Sequence, residues 1–383
     1  MTGVGGAGAG APPPAAVGPA RFVRPELRAL SAYHLDQVPA RFKLDQNEVP
    51  WDLPRRLKAE VARLLLARNW ARYGDFHGEA LRRALGERHR WPAAGVLVGN
   101  GSNELLAVAL EAVTAPGAEV LGADPSFGLY PSFVLRSGGR YRPVPPRPDL
   151  APPFAELSAE VEAGPRRPLL LCSPNNPTGG ALSPGQVESL LERLEAPLLL
   201  DNAYGEFCRH DYRPLLDRHP HLLLFRTFSK AWSLAGLRAG YLLAHPDLVA
   251  ELVKVKLPYN VGHAAAVAAQ VALAEAAVSE RRVRLLVGRR GQWAAVLAAA
   301  GLEVFPSEGN FLLVRCPAGG GVEAGLERVR RGLAERGVLV RDVSRYPGLA
   351  GCFRISMGSG PALRATRRAL DEVMGEVDHG PTG

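Results

Sequence analysis

Short apolar runs alternate with amphipathic helical patterns between residues 96 and 244. Six of the runs predict strands, over residues 96–98, 119–122, 168–172, 197–200, 222–226 and 240–243. Apolar positions at helical spacing predict helices between or after them, for example over residues 103–113, 184–194 and 247–256. Strands that are apolar throughout are typical of a parallel sheet covered by helices on both faces. The pattern therefore predicts an α/β fold with a large domain built on a mostly parallel sheet.

The pattern changes after residue 262, where alanine-rich helical segments run to about residue 300. Beyond them it predicts short strands over residues 303–305, 311–315, 338–341 and 353–356, and helices over residues 322–336 and 361–375. Strands and helices in this arrangement indicate a second, smaller α+β domain.

These patterns predict a division of the chain into five parts. We expect a large domain over 49–262 and a small domain over 263–377, with residues 21–48 as an N-terminal arm that joins the small domain. Residues 1–20 are almost all Gly, Ala, Pro and Val, without the basic segment and leucine-rich core of a signal peptide. We expect this leader, and the tail over 378–383, to be disordered because they offer little large apolar surface to offset the entropy of ordering.

The charge and the cysteines exclude some classes of protein. The net charge is +8, but the basic residues are spread over helical patterns, so we expect no nucleic-acid partner. The excess charge could instead attract acidic small molecules. The sequence contains no run of about eighteen apolar residues, the length that a membrane-spanning helix needs. The four cysteines are widely separated, which favours free thiols in a reducing compartment and hence the cytoplasm. They are Cys172, Cys208, Cys316 and Cys352.

Four polar clusters follow the predicted strands of the large domain, where open α/β sheets bind ligands. The segment 99–104 (GNGSNE) opens a helix with small residues, so its backbone N–H groups could hold an anion, although a plain turn and helix cap would explain it as well. The segment 173–179 (SPNNPTG) is a loop with two prolines around two asparagines, which could present side-chain amides to a ligand or be a structural turn.

The third and fourth clusters carry ionisable groups at the ends of buried strands. Asp201 needs a cation or hydrogen bonds there, and because no His/Asp ligand cluster accompanies it, a protonated heterocycle is favoured over a metal. A helix cap or a solvated loop would be the ordinary alternative. Lys230 is one of only five lysines, and burial would make its amine a nucleophile toward carbonyls, whereas most lysines lie at the surface. Arg238, nearby in the sequence, could hold a phosphate.

The order of the four clusters resembles the type I fold of pyridoxal-phosphate (PLP) enzymes, in the class that contains the histidinol-phosphate aminotransferases, over residues 25–375. This resemblance implies PLP as the cofactor and three catalytic residues. Lys230 would carry the cofactor as a Schiff base and serve as the general base, and Asp201 would pair with the pyridine nitrogen. Tyr204, together with Asn176, would hydrogen-bond the phenolic oxygen of the ring.

The same resemblance implies the remaining contacts of the cofactor. Ser102 and Asn103 would bind the phosphate through their backbone, and Ser229 and Arg238 would complete the phosphate site. Phe127 matches the aromatic residue that stacks on the ring, for which a flat face suffices.

Further motifs implied by the resemblance concern the substrate and the subunits. The substrate-binding residues would be Tyr33, Asn176, Arg341 and Arg354, with Arg354 as the clamp for the acidic group because a guanidinium fork suits carboxylate or phosphate. Tyr73 would reach the cofactor phosphate of the neighbouring subunit, so we expect a homodimer. The chain departs from the pattern at Asn202, where the family usually has glutamate, and at Gly74, where proline is common.

The implied reaction is amino transfer between L-histidinol phosphate and 2-oxoglutarate, run from glutamate in histidine biosynthesis. An aromatic or broad-specificity aminotransferase and a phosphothreonine decarboxylase of the same fold remain alternatives. A cofactor-binding regulator is disfavoured, because the first twenty residues are too short and too poor in polar residues to be a DNA-binding domain.

Overall fold

The structure is a computed structural model that describes residues 18–28, 30, 38–317 and 321–375. The predicted tail and residues 1–17 of the predicted leader lie outside this part. The last residues of that leader, together with Arg21 and Phe22, form the 3-10 turn Gly18–Phe22.

The described chain contains helices and strands in the following order. The helices are α1 (Pro25–Arg28), α2 (Arg55–Leu66), α3 (Glu79–His89), α4 (Ser102–Val113), α5 (Tyr130–Arg136), α6 (Phe154–Ala163), α7 (Pro184–Arg193), α8 (Pro246–Val255), α9 (His263–Ala274), α10 (Ala276–Ala299), α11 (Val322–Glu335) and α12 (Gly360–Gly375). The strands are β1 (Phe42–Lys43), β2 (Val96–Gly99), β3 (Glu119–Ala123), β4 (Arg140–Val144), β5 (Leu169–Cys172), β6 (Leu198–Asp201), β7 (Leu222–Thr227), β8 (Gly240–Leu243), β9 (Glu303–Val304), β10 (Phe311–Arg315), β11 (Val338–Leu339), β12 (Arg341–Asp342) and β13 (Cys352–Ser356).

A seven-stranded sheet forms the centre of the larger part of the molecule, in the order β2-β8-β7-β6-β5-β3-β4. Strands β4, β3, β5, β6 and β7 are parallel, and β8 runs antiparallel to both of its neighbours. Strands β2, β6 and β8 are buried at every residue, because helices cover both faces of the sheet. All six strands predicted for this sheet are present, and its mostly parallel character is confirmed.

Strand β4 was not predicted from the apolar pattern. It forms the edge of the sheet beside β3, and only Val144 of its five residues is buried. An edge strand tolerates Pro143 and exposed arginines, so it lacks the continuous apolar run of the central strands.

A second, four-stranded antiparallel sheet has the order β12-β13-β10-β9. The prediction of a single strand over 338–341 is wrong in one respect, because this segment forms two short strands that belong to different sheets. β11 pairs in parallel with β1, whereas β12 pairs with β13. The break at Val340 lets the chain leave one pair of strands and enter the other.

The contacts of the arm and of α9 bear on the predicted domains. Through the β1–β11 pair, residues 42–43 of the predicted arm contact the segment assigned to the small domain. Helix α9, also assigned there, packs on α2 and α3 of the predicted large domain, whereas α10 packs on β9 and α12. The domain boundaries themselves stay predictions.

Candidate active site

The four polar clusters lie at one edge of the seven-stranded sheet, where the parallel strands end. Asp201 is the last residue of β6, and Lys230 lies three residues beyond the end of β7. Because β8 is antiparallel to β7, it begins at this same edge, where Gly240 pairs with Gly99 and Thr227. The edge therefore brings together an amine, a carboxylate and the start of α4.

Asp201 is a buried carboxylate with two hydrogen-bond donors among the described residues. The Tyr130 hydroxyl donates to Oδ2 at 2.8 Å, and the backbone N–H of Ala203 donates to Oδ1 at 3.1 Å. Burial raises the pKa of Asp201 to about 6, although the hydrogen bonds and the charge of Lys230 act in the opposite direction. A cation placed beside this carboxylate would restore its ordinary ionisation.

Lys230 is partly buried, and its amine donates to the backbone carbonyl of Gln46 at 2.8 Å. Burial, together with the positive charge of Arg354, lowers the pKa of Lys230 to about 8. An amine with this pKa is substantially unprotonated near neutral pH, which is the form that attacks a carbonyl carbon.

Tyr204 is buried between the large sheet and the second sheet. Its ring lies edge-on against Phe311, with 5.0 Å between ring centroids, and the Lys230 amine lies 5.9 Å from the Tyr204 centroid. The side-chain amide of Asn47 donates to the Tyr204 hydroxyl at 2.9 Å. The Tyr204 ring thus lies near the amine, and its hydroxyl is held by a residue of the N-terminal arm.

The start of α4 forms a candidate anion-binding site that depends on two glycines. Gly101, which precedes the helix, has φ +82°. A Cβ on Gly240 would lie 2.5 Å from the backbone nitrogen of Ser102, so only glycine lets the helix approach the sheet edge here. The free N–H groups of the first turn, which includes Ser102 and Asn103, give such a site a partial positive charge.

Arg238 and Ser229 flank this anion-binding site. The Arg238 guanidinium donates to Ser229 Oγ at 3.2 Å and to the carbonyl of Ala235 at 3.1 Å. It also approaches Gly101 closely enough that a Cβ there would lie 2.5 Å from Nη2. Arg238 is exposed while Ser229 is buried, so the pair reaches from solvent into the site.

Arg354 lies on β13 and crosses to the loops of the large sheet. It donates to the side-chain oxygen of Asn176, and to the backbone carbonyl of Asp45 at 2.6 Å. Arg341 on β12 is directly opposite Arg354 in the strand register. Opposite residues of antiparallel strands place their side chains on the same face, so the two arginines lie on one face of the second sheet.

The other predicted residues are placed less directly. Phe127 is half-buried with its ring edge-on to Tyr130, at 5.5 Å between centroids. Tyr73 is 82% exposed, and its ring stacks on that of Tyr259 with 4.5 Å between the ring centroids. Among the described residues, no hydrogen bond or ring contact joins Tyr73 to Lys230 or Asp201. Tyr33 lies outside the described residues.

Two side chains of the site were not singled out from the sequence. Tyr130 ends the PSFGLY segment that supplied Phe127, and its position three residues later, at the start of α5, turns it toward Asp201. Asn47 lies in the segment 43–50 (KLDQNEVP), and a buried asparagine with φ 55° is the kind of signal that only the backbone reveals.

Asn202 and Gly74, the two residues at which the chain departs from the family pattern, both lie close to other side chains or backbone groups. Asn202 is fully buried, donates to the carbonyl of Ser173 at 2.6 Å and accepts from Arg226. A Cβ at Gly74 would lie 3.0 Å from the ring of His263. Both positions are thus explained by packing in this chain.

Known proteins resemble this chain over nearly its whole length. A histidinol-phosphate aminotransferase of Deinococcus radiodurans is 34% identical over 351 residues, which are 91% of this chain and 95% of the relative. Histidinol-phosphate aminotransferase 2 of Bordetella bronchiseptica is 35% identical over 359 residues, covering 93% and 97% of the two chains.

Solved structures show the fold. The histidinol-phosphate aminotransferase of Sinorhizobium meliloti, in complex with PLP, has a TM-score of 0.81 at 24% identity and covers 93% of this chain and 98% of its own. A variant of Thermus thermophilus aspartate aminotransferase has a TM-score of 0.76 at 23% identity, with 92% and 99% coverage. The fold is therefore the α/β type I fold of PLP-dependent transferases. Since the family described as aminotransferase class I and II also matches residues 40–373, the chain belongs to the class I and II aminotransferases.

Proposed function

We propose that this chain is a PLP-dependent aminotransferase that transfers the amino group between L-histidinol phosphate and 2-oxoglutarate. The observation that carries the proposal is the edge of the large sheet, where the Lys230 amine, the Asp201 carboxylate and the anion-binding start of α4 lie together. The choice of substrate is supported by relatives 34–35% identical over about nine tenths of the chain, which are named histidinol-phosphate aminotransferases.

The residues at this edge fit PLP at both ends of the molecule. The phosphate would bind at Ser102, Asn103, Ser229 and Arg238, where glycines keep the backbone accessible. The pyridine nitrogen would face Asp201, whose raised pKa shows that this carboxylate lacks a cationic partner strong enough to offset burial. Phe127 would cover the ring, with Asn176 and Tyr204 at its phenolic oxygen.

Each catalytic residue then has a distinct task. Bound PLP supplies an aldehyde that links to amines and a ring that withdraws electrons from the substrate's α-carbon. Lys230 would anchor the cofactor, and its free amine would take the proton from the substrate's α-carbon, a role that its lowered pKa suits. Asp201 would keep a proton on the ring nitrogen, and the Tyr204 hydroxyl would donate to the phenolic oxygen.

The acidic group of the substrate would bind at Arg354 with help from Arg341 and Tyr33. The two arginines face the same side of the second sheet, and guanidinium groups bind phosphate and carboxylate in the same bidentate manner. One site could therefore accept the phosphate of histidinol phosphate and a carboxylate of glutamate in turn.

We further propose a cytoplasmic homodimer in which Tyr73 completes the phosphate site of the partner subunit. Tyr73, Tyr259 and Phe76 form an exposed aromatic cluster. Exposed aromatic surface of this kind is typical of protein–protein contacts. The structure describes no helix long and apolar enough to cross a membrane.

Initial rates with purified, PLP-loaded enzyme test the substrate. We expect kcat/KM with 2-oxoglutarate to be at least about a hundredfold higher for L-histidinol phosphate than for L-histidinol or L-phenylalanine, since neither of these can make the bidentate contacts of a phosphate with arginine. Arg354→Lys should raise KM more than it lowers kcat, because a bidentate contact becomes a single one. A preference for phenylalanine would identify an aromatic aminotransferase, and release of CO2 from phosphothreonine would identify the decarboxylase.

A further inference from the structure

Three consecutive residues of the N-terminal arm contact three different groups of the active site. The carbonyl of Asp45 accepts from Arg354 at 2.6 Å, and the carbonyl of Gln46 accepts from the Lys230 amine at 2.8 Å. The side-chain amide of Asn47 donates to the Tyr204 hydroxyl at 2.9 Å. We name residues 45–47 the arm turn.

Asn47 holds the arm turn in place. It is fully buried and has φ 55°, a left-handed conformation that asparagine adopts more readily than most residues. Its backbone N–H donates to Ser356 Oγ at 2.8 Å, and its carbonyl accepts from Asn310 Nδ2 at 3.0 Å. The backbone of Asn47 is therefore held by Ser356, on the strand β13 that carries Arg354, and by Asn310, which directly precedes β10.

The hydrogen bonds around Ser356 also fix which way the Asn47 amide points. Because Ser356 Oγ accepts the backbone N–H of Asn47, its own hydrogen is free to donate to Asn47 Oδ1 at 3.2 Å. The amide oxygen thus faces Ser356, and the NH2 group faces Tyr204. The opposite orientation would take the Asn47 acceptor away from the buried Ser356 hydroxyl hydrogen.

This orientation determines what the Tyr204 hydroxyl can do. Its oxygen already accepts from Asn47, so its single hydrogen must point elsewhere, and within the described part of the chain no acceptor takes it. A buried hydroxyl hydrogen without an acceptor is costly unless a ligand supplies one. We propose that Asn47 is a positioning residue that directs the Tyr204 hydroxyl hydrogen at the phenolic oxygen of bound PLP.

The inference rests on the proposed cofactor and has a spectroscopic consequence. Donation from Tyr204 stabilises negative charge on the phenolic oxygen, which weakens the hold of the adjacent Lys230–cofactor nitrogen on its proton. If Asn47 no longer donates to Tyr204, the hydroxyl can turn away, and the pKa of that nitrogen should rise. The pH titration of the cofactor's absorbance reports this pKa without any turnover.

Two substitutions separate the side chain from the backbone of Asn47. Asn47→Gly tolerates φ 55° and removes only the amide, whereas Asn47→Asp keeps the shape but offers Tyr204 an acceptor in place of a donor. We expect the titration midpoint to rise in both variants, and by about one pH unit or more in Asn47→Asp, a tenfold change in the protonation equilibrium. In a Tyr204→Phe background, Asn47→Gly should cause no further rise.

The controls distinguish a failure of the inference from a failure of the proposed function. Asp52→Asn, the reverse exchange at a largely exposed position five residues further along the chain, should leave the midpoint unchanged. If the natural protein develops no absorbance with PLP, the proposed function is wrong. If it does, and both Asn47 variants bind PLP with the natural midpoint, or the shift persists without the Tyr204 hydroxyl, then Asn47 does not act through Tyr204.

Discussion

At the residue scale, burial moves the two central ionisable groups toward their neutral forms. It raises the pKa of Asp201 to about 6 and lowers that of Lys230 to about 8. A ligand that brings a basic ring nitrogen to Asp201 and a carbonyl carbon to Lys230 relieves both effects. The neutral forms of the two side chains therefore favour the binding of a cofactor that carries both a basic ring nitrogen and a carbonyl carbon.

The lowered pKa of Lys230 predicts how the cofactor-free protein takes up PLP. Only the unprotonated amine attacks the aldehyde, and a pKa of about 8 leaves roughly a quarter of the amine unprotonated at pH 7.5, against about a thousandth for an ordinary lysine. We expect the second-order rate of colour formation to rise with pH and to level off above about pH 9.

Rapid mixing of cofactor-free protein with PLP across a pH series measures this rate. Lys230→Ala should bind PLP without forming the covalent chromophore, which separates non-covalent binding from the linkage. A rate that keeps rising tenfold per pH unit to pH 10 would show that the Lys230 amine has an ordinary pKa.

The residues with unusual chemistry could be predicted at this scale, but their partners could not. Lys230 and Asp201 each lie at or just beyond the end of an apolar strand. A charge is costly in such a position, so a charged residue there can be recognised from the sequence as unusual. The groups that hydrogen-bond to them are set by tertiary contact: the acceptor Gln46 is 184 positions away from Lys230 in the chain, and the donor Tyr130 is 71 positions from Asp201. No local pattern connects such pairs.

At the element scale, the anion-binding site depends on how closely α4 approaches the sheet. Strand β8 begins at Gly240, beside the end of β2 and beneath the start of α4. The atoms nearest to an added Cβ at Gly240 belong to the backbone of Gly101 and Ser102, so they cannot move aside as a flexible side chain would.

Gly240→Ala should therefore weaken phosphate binding specifically. We expect the dissociation constant for PLP to rise at least about tenfold, because displacement of α4 misaligns the N–H groups that would hold the anion. Binding of pyridoxal, which lacks the phosphate, should change much less. Fluorescence titration of the cofactor-free protein with both compounds measures the difference.

Gly236→Ala serves as the matched control for this substitution. It makes the same change four residues earlier, in the turn before β8, where an added Cβ would meet nothing within 4 Å. Equal PLP affinity in Gly240→Ala and in the natural protein would exclude the start of α4 as the phosphate site.

Elements with a continuous apolar run were predictable, and elements without one were not. The central strands bury both faces, so their residues are apolar throughout, and these strands can be recognised without knowing which strands pair with them. The edge strand β4 and the two short strands β11 and β12 depend on which partner they pair with, which the local sequence does not encode.

At the scale of the whole molecule, the exposed aromatic cluster adjoins the anion-binding site. Tyr259 stacks on Tyr73, and the next residue, Asn260, donates to the Glu104 carboxylate in the first turn of α4 at 2.6 Å. A partner subunit bound over this cluster would thus lie beside the proposed phosphate site. Tyr73 is too exposed to serve the site of its own chain in the described conformation.

Mixing two inactive chains tests whether active sites are shared between subunits. A Lys230→Ala chain lacks the amine, and a Tyr73→Phe chain keeps the stacking ring but lacks the hydroxyl. In a mixed dimer, one site combines the natural Lys230 of one chain with the natural Tyr73 of the other. After unfolding and refolding an equal mixture, about a quarter of all sites should be fully natural if chains pair at random. Activity at limiting PLP should then exceed the sum of the two separately refolded samples. If Tyr73 instead serves its own subunit, every site with a natural Lys230 carries the Tyr73→Phe change, and mixing restores nothing.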